Sequence, residues 1–318
     1  MQNAAELVLV GGFGFIGRNI LELLSRDDSF AHLAPIVIDN MSNAAPGHDT
    51  VAVPGHQGGY EADAALTFLR ARPKAPGGRT FVFLAGETRV AAARERPLAY
   101  VDANVTHPAR FVMEAVEPGD NFILISTAGA LFDGTFEIRA DSPYCPKNLY
   151  GATKAAEELI LEKLVELRGG TFRVVRMTNV FGAFSEHKKS AIHAFTRAAI
   201  AGESVVINGD GQQSRDFIFA GDVAFGIAEL ARRLSAGMAT ERVHILGAGV
   251  TTTLMDVVSA VEQAAGKELA YEQIPAKALL ATEPRDVIVQ KGEVSALLED
   301  RITPFAAGIR ATHAYYAV

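Results

Sequence analysis

Two residues four positions apart, Tyr150 and Lys154, carry the side chains with the clearest chemical potential in this sequence. They lie at the start of LYGATKAAEEL (149–159), whose pattern favours a helix. Four residues are close to one helical turn, so both side chains would project from the same face. A nearby ammonium favours the phenolate form of tyrosine, which could then act as a general base near neutral pH. The same spacing also occurs on solvated helix faces, so other features must decide between a base and a surface pair.

The first half of the chain predicts the scaffold that would position this pair. Short apolar runs predict buried strands at 6–11, 34–40, 80–86, 120–127 and 170–182. Helical spacing of apolar residues predicts helices at 15–26, at 97–116 and from about Tyr150 onward. Strands that alternate with helices are typical of a parallel sheet covered by helices on both faces. We therefore expect an α/β fold with a doubly wound parallel sheet.

The second half is less regular and predicts a smaller, interleaved domain. A helix is expected at 190–202, ended by Gly202, and another at 253–266. The segment 204–223 reads as a strand, a glycine-rich turn and a second strand, and 242–249 as a further strand.

A glycine-rich turn follows the first predicted strand and opens the first predicted helix. Gly11, Gly14 and Gly17 would bring backbone N–H groups and a helix N-terminus against a phosphate, because no Cβ blocks the approach. Asp39, 22 residues past Gly17, ends the second predicted strand and could accept hydrogen bonds from ribose hydroxyls. Its charge would repel a 2′-phosphate, which favours NAD over NADP. The alternative is an ordinary glycine turn with a capping aspartate.

Together, this turn and the Tyr150–Lys154 pair resemble the extended short-chain dehydrogenase/reductase superfamily, and within it the nucleotide-sugar epimerase/dehydratase family. The segments 38–42, 104–105, 176–182 and 209–224 each resemble a family block in the expected order. The resemblance implies a Rossmann domain that binds NAD, formed by residues 1–181 and about 217–247. It also implies a nucleotide-sugar substrate domain formed by about 182–216 and 248–318.

The resemblance also implies roles for individual residues. Tyr150 would be the base, Lys154 would lower its pKa and bind the nicotinamide ribose, and Thr127 would bind the sugar's 4-oxygen. Ser126, beside Thr127, is a second candidate for contact with the substrate. The positions that would contact NAD are Gly11, Gly14, Phe15, Ile16, Gly17, Asp39, Asn40, Leu84, Ala85, Gly86, Asn104, Tyr150 and Lys154.

A nucleotide sugar carries a diphosphate, which an acidic protein must neutralise locally. Arg215 matches the diphosphate-binding arginine of the family, and Asn179 matches a donor to the diphosphate or sugar. Arg89 would lie near the sugar unless it is an ordinary solvated loop arginine.

The chain also departs from the family pattern at two phosphate- or adenine-contacting positions. Glu283 stands where the family usually has another arginine, and Arg285 is the candidate to replace it. The acidic residue that the family uses near the adenine is Gly59 here.

The residues after Thr127 bear on the reaction. Related 4,6-dehydratases have an Asp-Glu pair there, whereas this chain has Ala128 and Gly129, which cannot transfer a proton. This favours a 4-epimerase that removes a hydride from C4 and returns it. A 4-ketoreductase, a 4,6-dehydratase or a decarboxylase remains the alternative if an acid comes from elsewhere, with Glu87 as one candidate. A non-catalytic NAD-sensing protein is the alternative of another class, although it would have no need of an aligned Thr127, Tyr150 and Lys154.

Composition limits the partners and the compartment. The chain of 318 residues is 49% apolar and 21% charged, typical of globular proteins, and its net charge of −7 does not favour nucleic acid or anionic membranes. The single cysteine, Cys145, excludes an intramolecular disulfide and fits a reducing compartment such as the cytoplasm. We expect no membrane span, no secretion signal and no metal. The resemblance implies a homodimer formed through the helices at about 97–116 and 149–167, which would pair as a four-helix bundle.

Overall fold

The computed structural model describes residues 4–88, 90–132, 138–188, 190–275, 286–298 and 301–317. Its strands are β1 (Ala5–Val10), β2 (Leu33–Asp39), β3 (Gly55–Gln57), β4 (Arg79–Phe83), β5 (Asn121–Thr127), β6 (Thr171–Met177), β7 (Asn179–Phe181), β8 (Val205–Asn208), β9 (Ser214–Phe219), β10 (Val243–Leu246), β11 (Thr251–Thr253), β12 (Tyr271–Ile274) and β13 (Asp286–Val287). Its α-helices are α1 (Phe15–Arg26), α2 (Asp63–Arg70), α3 (Val90–Glu95), α4 (Pro97–Val101), α5 (His107–Ala115), α6 (Leu149–Leu167), α7 (Ala191–Ala201), α8 (Ala220–Ser235), α9 (Leu254–Ala265) and α10 (Phe305–Tyr316).

Seven parallel strands form the main sheet, in the order β10-β6-β5-β4-β1-β2-β3. Strand β1 is buried along its whole length, because both faces of the sheet are covered. Its alternate residues pack into two separate cores, Leu7 and Leu9 with α1 and α8, and Val8 and Val10 with α2, α5 and α6. This confirms the predicted α/β fold with a doubly wound Rossmann sheet.

The strand order reverses beside β1, where β2 leads in one direction and β4 in the other. In open parallel sheets, ligands bind at such a reversal, outside the carboxyl ends of the strands. Four predicted site residues each end a strand or directly follow one at this edge: Gly11, Asp39, Leu84 and Thr127. The topology therefore gathers segments that lie more than 100 positions apart in the sequence.

The strands outside the main sheet belong to a second, smaller region. Strand β9 pairs with β7, β11 and β13, and β12 pairs with β8. Helices α7, α9 and α10 share a third apolar core with these strands, around Phe195, Val257 and Ile309. The exact division into two domains stays a prediction.

The structure corrects three predicted elements. The strand expected over 170–182 is two strands, β6 and β7, which belong to different sheets. The helix expected over 97–116 is α4, a π-helical turn at Asp102–Thr106, and α5. The strand expected to reach 223 ends at Phe219, where extended backbone passes directly into α8. These differences reflect packing that apolar spacing does not encode, and the π-helical turn lies beside the site. Within the described ranges, none of the helices is both long and apolar enough to span a bilayer.

Candidate active site

The turn between β1 and α1 is shaped by close backbone contacts. Gly11 has a φ of +82°, and a Cβ there would lie 3.0 Å from the Ala85 nitrogen. A Cβ on Gly17 would lie 2.3 Å from the Gly12 oxygen, so α1 can approach the turn only if this residue is glycine.

No side chain caps α1 at Gly14, where an added Cβ would come no closer than 3.4 Å to its surroundings. The first N–H groups of the helix, those of Phe15 and Ile16 among them, have no acceptor within the helix. They suit a phosphate group.

Asp39 holds this turn from the adjacent strand. Asp39 is 7% exposed, and its carboxylate accepts hydrogen bonds from the backbone N–H of Phe13 at 2.8 Å and of Met41 at 2.7 Å. A carboxylate oxygen can accept more than one hydrogen bond, so a ribose hydroxyl could still be bound. The neighbouring Asn40 is exposed, and its side-chain oxygen accepts from the Ser42 N–H at 3.1 Å.

The segment after β4 passes close to the glycine turn. Leu84 donates its N–H to the Val10 oxygen at 2.9 Å, and Ala85 lies against Gly11. Gly86 has a φ of +144°, and a Cβ there would lie 3.0 Å from Asn104 Oδ1. This close approach requires glycine and brings the segment up to the π-helical turn.

Asn104 links that segment to α6. It is fully buried; its Oδ1 accepts from the Glu87 N–H at 2.8 Å, and its Nδ2 donates to the Glu87 oxygen at 3.0 Å and to Thr153 Oγ1 at 3.1 Å. Because these three bonds engage both the oxygen and the nitrogen of the amide, Asn104 holds the backbone of Glu87 in place beside the site. Its predicted contact with a cofactor stays a prediction.

Thr127 and Tyr150 meet where β5 ends and α6 begins. Their side chains are hydrogen-bonded to each other. Asn148 caps α6 by accepting from the Gly151 N–H at 2.9 Å. A Cβ on Gly151 would lie 1.9 Å from the Ala130 oxygen, so glycine allows the helix to start directly against the loop after β5.

Lys154 lies one helical turn beyond Tyr150 and is 5% exposed. Its Nζ donates to the Ile125 oxygen at 2.8 Å and forms an ion pair with Glu157. The structure thus places Thr127, Tyr150 and Lys154 together at the carboxyl end of β5, which gives a hydroxyl, a phenol and an ammonium in one site.

The charges around Tyr150 do not lower its pKa as Lys154 alone would. Burial raises the pKa of the Tyr150 phenol above its usual range, and the Glu157 carboxylate adds to this, while Lys154 and the bond from Thr127 oppose it. Burial by itself would lower the pKa of Lys154, but the charges of Glu157 and Tyr150 raise it. A further positive charge, such as an oxidised nicotinamide, would be needed to favour the phenolate near neutral pH.

Ser126 does not join this group. It is 4% exposed, and its hydroxyl donates to Glu158 Oε1, because successive residues of β5 point to opposite sides. Glu158 also accepts from the Tyr144 hydroxyl at 2.7 Å and from Arg176 at 2.8 Å. The Ser126 hydroxyl is thus part of a buried polar cluster, and its predicted contact with the substrate stays a prediction.

Asn179 and Arg215 lie on neighbouring strands of the smaller sheet. Asn179 is exposed, pairs with Phe217 across β7 and β9, and donates from its side chain to the Asp216 oxygen at 3.1 Å. Arg215 is half-buried and precedes Phe217 by two positions, which places it on the same face of β9. Arg89, Glu283 and Arg285 lie outside the described residues.

Two acidic residues of α6 that were not predicted lie beside the site: Glu157 and Glu158. Glu157 follows Tyr150 by seven positions and Lys154 by three, a spacing that places all three on one helical face and could have been read from the sequence. Nowhere in the described part of the chain do three or more His, Cys, Asp or Glu side chains come together as they would around a metal ion.

Comparison with known proteins agrees with this arrangement. Residues 7–245 match the family described as NAD dependent epimerase/dehydratase. A probable UDP-glucuronate 4-epimerase of Rhizobium meliloti is 25% identical over 296 residues, covering 84% of each chain. A dTDP-glucose 4,6-dehydratase of Streptomyces griseus is 26% identical over 267 residues, covering 83% of this chain and 79% of the relative.

A solved structure shows the same fold. The UDP-glucose 4-epimerase of Thermus thermophilus, in complex with NAD, superimposes with a TM-score of 0.77 at 24% identity and covers 98% of each chain. With the family match over most of the chain, these findings confirm the resemblance to extended short-chain dehydrogenases/reductases. The chain therefore belongs to the NAD-dependent epimerase/dehydratase family of nucleotide-sugar enzymes, and NAD is its cofactor.

Proposed function

We propose that the protein is an NAD-dependent nucleotide-diphosphate-sugar 4-epimerase that acts on a UDP-sugar. The observation that carries the proposal is the group of Thr127, Tyr150 and Lys154 next to a loop that continues with Ala128 and Gly129. Neither Ala128 nor Gly129 can transfer a proton, so these two positions do not supply the acid–base pair that dehydration needs.

The chain's own residues would handle the proton at the sugar's 4-oxygen. Tyr150 accepts the proton of the 4-hydroxyl, Thr127 orients that oxygen, and Lys154 stabilises the phenolate. Bound NAD supplies the hydride acceptor and donor at C4. If the resulting 4-keto sugar rotates in the site before reduction, the hydride returns to the opposite face of C4. Tyr150 then returns its proton to the 4-oxygen, and the configuration at C4 is inverted.

The residues that would hold NAD fit its parts. The uncapped start of α1 suits the diphosphate, and Asp39 suits the adenosine ribose. Leu84, Ala85 and Gly86 border the turn, and Asn104 fixes their path.

The test is incubation of the purified protein with UDP-glucose, UDP-N-acetylglucosamine and UDP-glucuronate, followed by product analysis. We expect the 4-epimer of one of these sugars, with no net consumption of NAD. A 4-keto-6-deoxy sugar, loss of CO₂, or stoichiometric oxidation of NADH or NADPH would instead identify a dehydratase, decarboxylase or reductase. A dehydratase is among the relatives, and Glu87, held by Asn104, would then be the first acid to test.

Arg215 is proposed to bind the substrate diphosphate. Replacing Arg215 with Ala removes a charge-assisted bond worth about 2 kcal/mol, so we expect nucleotide-sugar affinity to fall by about 30-fold. Bound NAD should not change, because Arg215 lies on β9 of the smaller sheet, whereas the glycine turn follows β1 of the main sheet. Calorimetric titration with UDP measures this.

The matched control for Arg215→Ala is Arg242→Ala. Arg242 pairs with Glu162 at the protein surface, and its loss should leave UDP affinity unchanged. Unchanged affinity in Arg215→Ala would move the diphosphate site elsewhere, with Arg285 and Arg89 next to be tested.

We also propose a homodimer formed through α4, α5 and α6. Helices α5 and α6 pack against each other. Large apolar side chains are exposed on this group of helices: Leu98, Val101, Met113, Leu159, Ile160 and Leu167. Exposed apolar residues concentrated in this way are typical of protein interfaces.

Sedimentation velocity tests the dimer. We expect the wild-type protein to sediment as a dimer and Leu159→Arg as a monomer, because a charge would be buried at the interface. Val206→Arg, also at an exposed apolar position but on β8, should remain dimeric. A monomeric wild-type protein would rule this assembly out.

A further inference from the structure

Glu157 is a buried acid on the same helical face as the proposed base. It is 0% exposed, and its Oε2 forms an ion pair with Lys154. Its other oxygen, Oε1, has no hydrogen-bond partner among the described residues. A half-satisfied carboxylate is costly to bury, so its place beside Lys154 calls for an explanation beyond packing.

The charged and titratable groups that face Glu157 come from several elements. Lys154 and Glu158 lie beside it on α6, and Tyr60, from the loop before α2, feels its charge. Burial raises the pKa of Glu157 to about 7, and Glu158 adds to this, while Lys154 opposes it.

Glu158 has a cation of its own, Arg176, with which it forms a buried ion pair. Within the part of the chain that the structure describes, Lys154 is therefore the cation paired with Glu157.

The charges of both Lys154 and Glu157 act on the Tyr150 phenol. Lys154 favours the phenolate and Glu157 disfavours it; Tyr100, from α4, also disfavours it. An ammonium that is already paired with a carboxylate stabilises a nearby phenolate less than a single ammonium would.

We propose that Glu157 is a positioning residue that holds the Lys154 ammonium and that, by its own negative charge, offsets part of the stabilisation which this ammonium gives the Tyr150 phenolate. The inference rests on the proposed role of Tyr150 as the base. Because Lys154 would also bind the nicotinamide ribose, Glu157 and the cofactor act on the same ammonium. Together with burial, the acid therefore keeps the phenol protonated until the site is filled.

The test is a spectroscopic titration of the phenol in the whole protein without substrate. Phenolate absorbance is followed against pH, and the curve of the matching variant that also carries Tyr150→Phe is subtracted. Glu157→Gln should move the Tyr150 midpoint down by about one to three pH units, because a negative charge is removed. Glu166→Gln, an exposed site on α6 paired with Lys163, should leave the midpoint unchanged.

A second comparison covers the case in which Glu157→Gln alone does not fold. Lys154→Met leaves Glu157 unpaired and should raise the phenol midpoint, and adding Glu157→Gln to it should lower the midpoint again. The double variant removes both charges together, which is better tolerated than removing one. A midpoint that does not respond to Glu157→Gln in either background would overturn the proposal.

Kinetics separates this inference from the proposed function. If the wild-type protein turns over a sugar, Glu157→Gln should shift the acidic limb of kcat/KM downward by the same amount as the phenol midpoint. A purely structural role would lower stability or kcat without moving that limb. Absence of turnover in the wild type would refute the proposed function, while the phenol titration would still decide the role of Glu157.

Discussion

Turnover of the nucleotide sugar is expected to fall by about 100- to 10,000-fold when Tyr150 is replaced by Phe, because removal of a general base has an effect of that size. The phenol is hydrogen-bonded to Thr127 and lies one turn from Lys154, so it can exchange a proton with a sugar hydroxyl at this place. The ring of Phe can occupy the same space. Fold and bound NAD should therefore be retained, as measured by circular dichroism and by cofactor content.

Tyr271→Phe is the matched control for Tyr150→Phe. Tyr271 lies exposed on β12, outside the main sheet, so the same loss of a hydroxyl should leave turnover unchanged. If Tyr150→Phe keeps activity within a few-fold of wild type, the Tyr150–Lys154 pair has no role in proton transfer.

Stability should fall by about 3–5 kcal/mol when Arg176 is replaced by Met, because a buried carboxylate then loses its cation. Arg176 and Glu158 are each 1% exposed, and Arg176 also donates to the Ala140 oxygen at 2.9 Å and to the Tyr144 hydroxyl at 3.0 Å. Chemical denaturation, with the free energy of unfolding extrapolated to water, measures the loss.

Two variants show whether the loss comes from the uncompensated charge. Arg242→Met removes a surface partner of Glu162 and should cost at most about 1 kcal/mol. Adding Glu158→Leu to Arg176→Met removes the unpaired carboxylate and should restore much of the stability. A loss below about 1 kcal/mol in Arg176→Met alone would mean that Glu158 finds another partner or a proton.

The polar cluster around Glu158 explains why stability and activity are connected here. Arg176 on β6 and Glu158 on α6 join the strand that precedes Asn179 to the helix that carries Tyr150. Ser126, one residue before Thr127, donates to the same carboxylate. Changes in this cluster should therefore affect the geometry of the site, although Ser126 points to the side of β5 opposite Thr127.

The sequence by itself determined the scaffold and the composition of the site. Apolar runs and helical spacing are local patterns, and they predicted the parallel strands and the bounds of α1, because burial on both faces selects such runs. Spacing also placed Tyr150 and Lys154 on one helical face, and glycine positions predicted the turn after β1. These features depend on residues close together in the chain.

Only the tertiary structure decided which partners the polar and charged side chains of the site have. Ser126 and Thr127 are neighbours in sequence, yet one hydroxyl points to Glu158 and the other to Tyr150, since a strand alternates its faces. Asn104 reaches Glu87 and Thr153 through a π-helical turn that apolar spacing does not reveal. Lys154 was expected to lower the pKa of Tyr150, but burial and the charge of Glu157 outweigh it, because the strength of a charge depends on its surroundings in space.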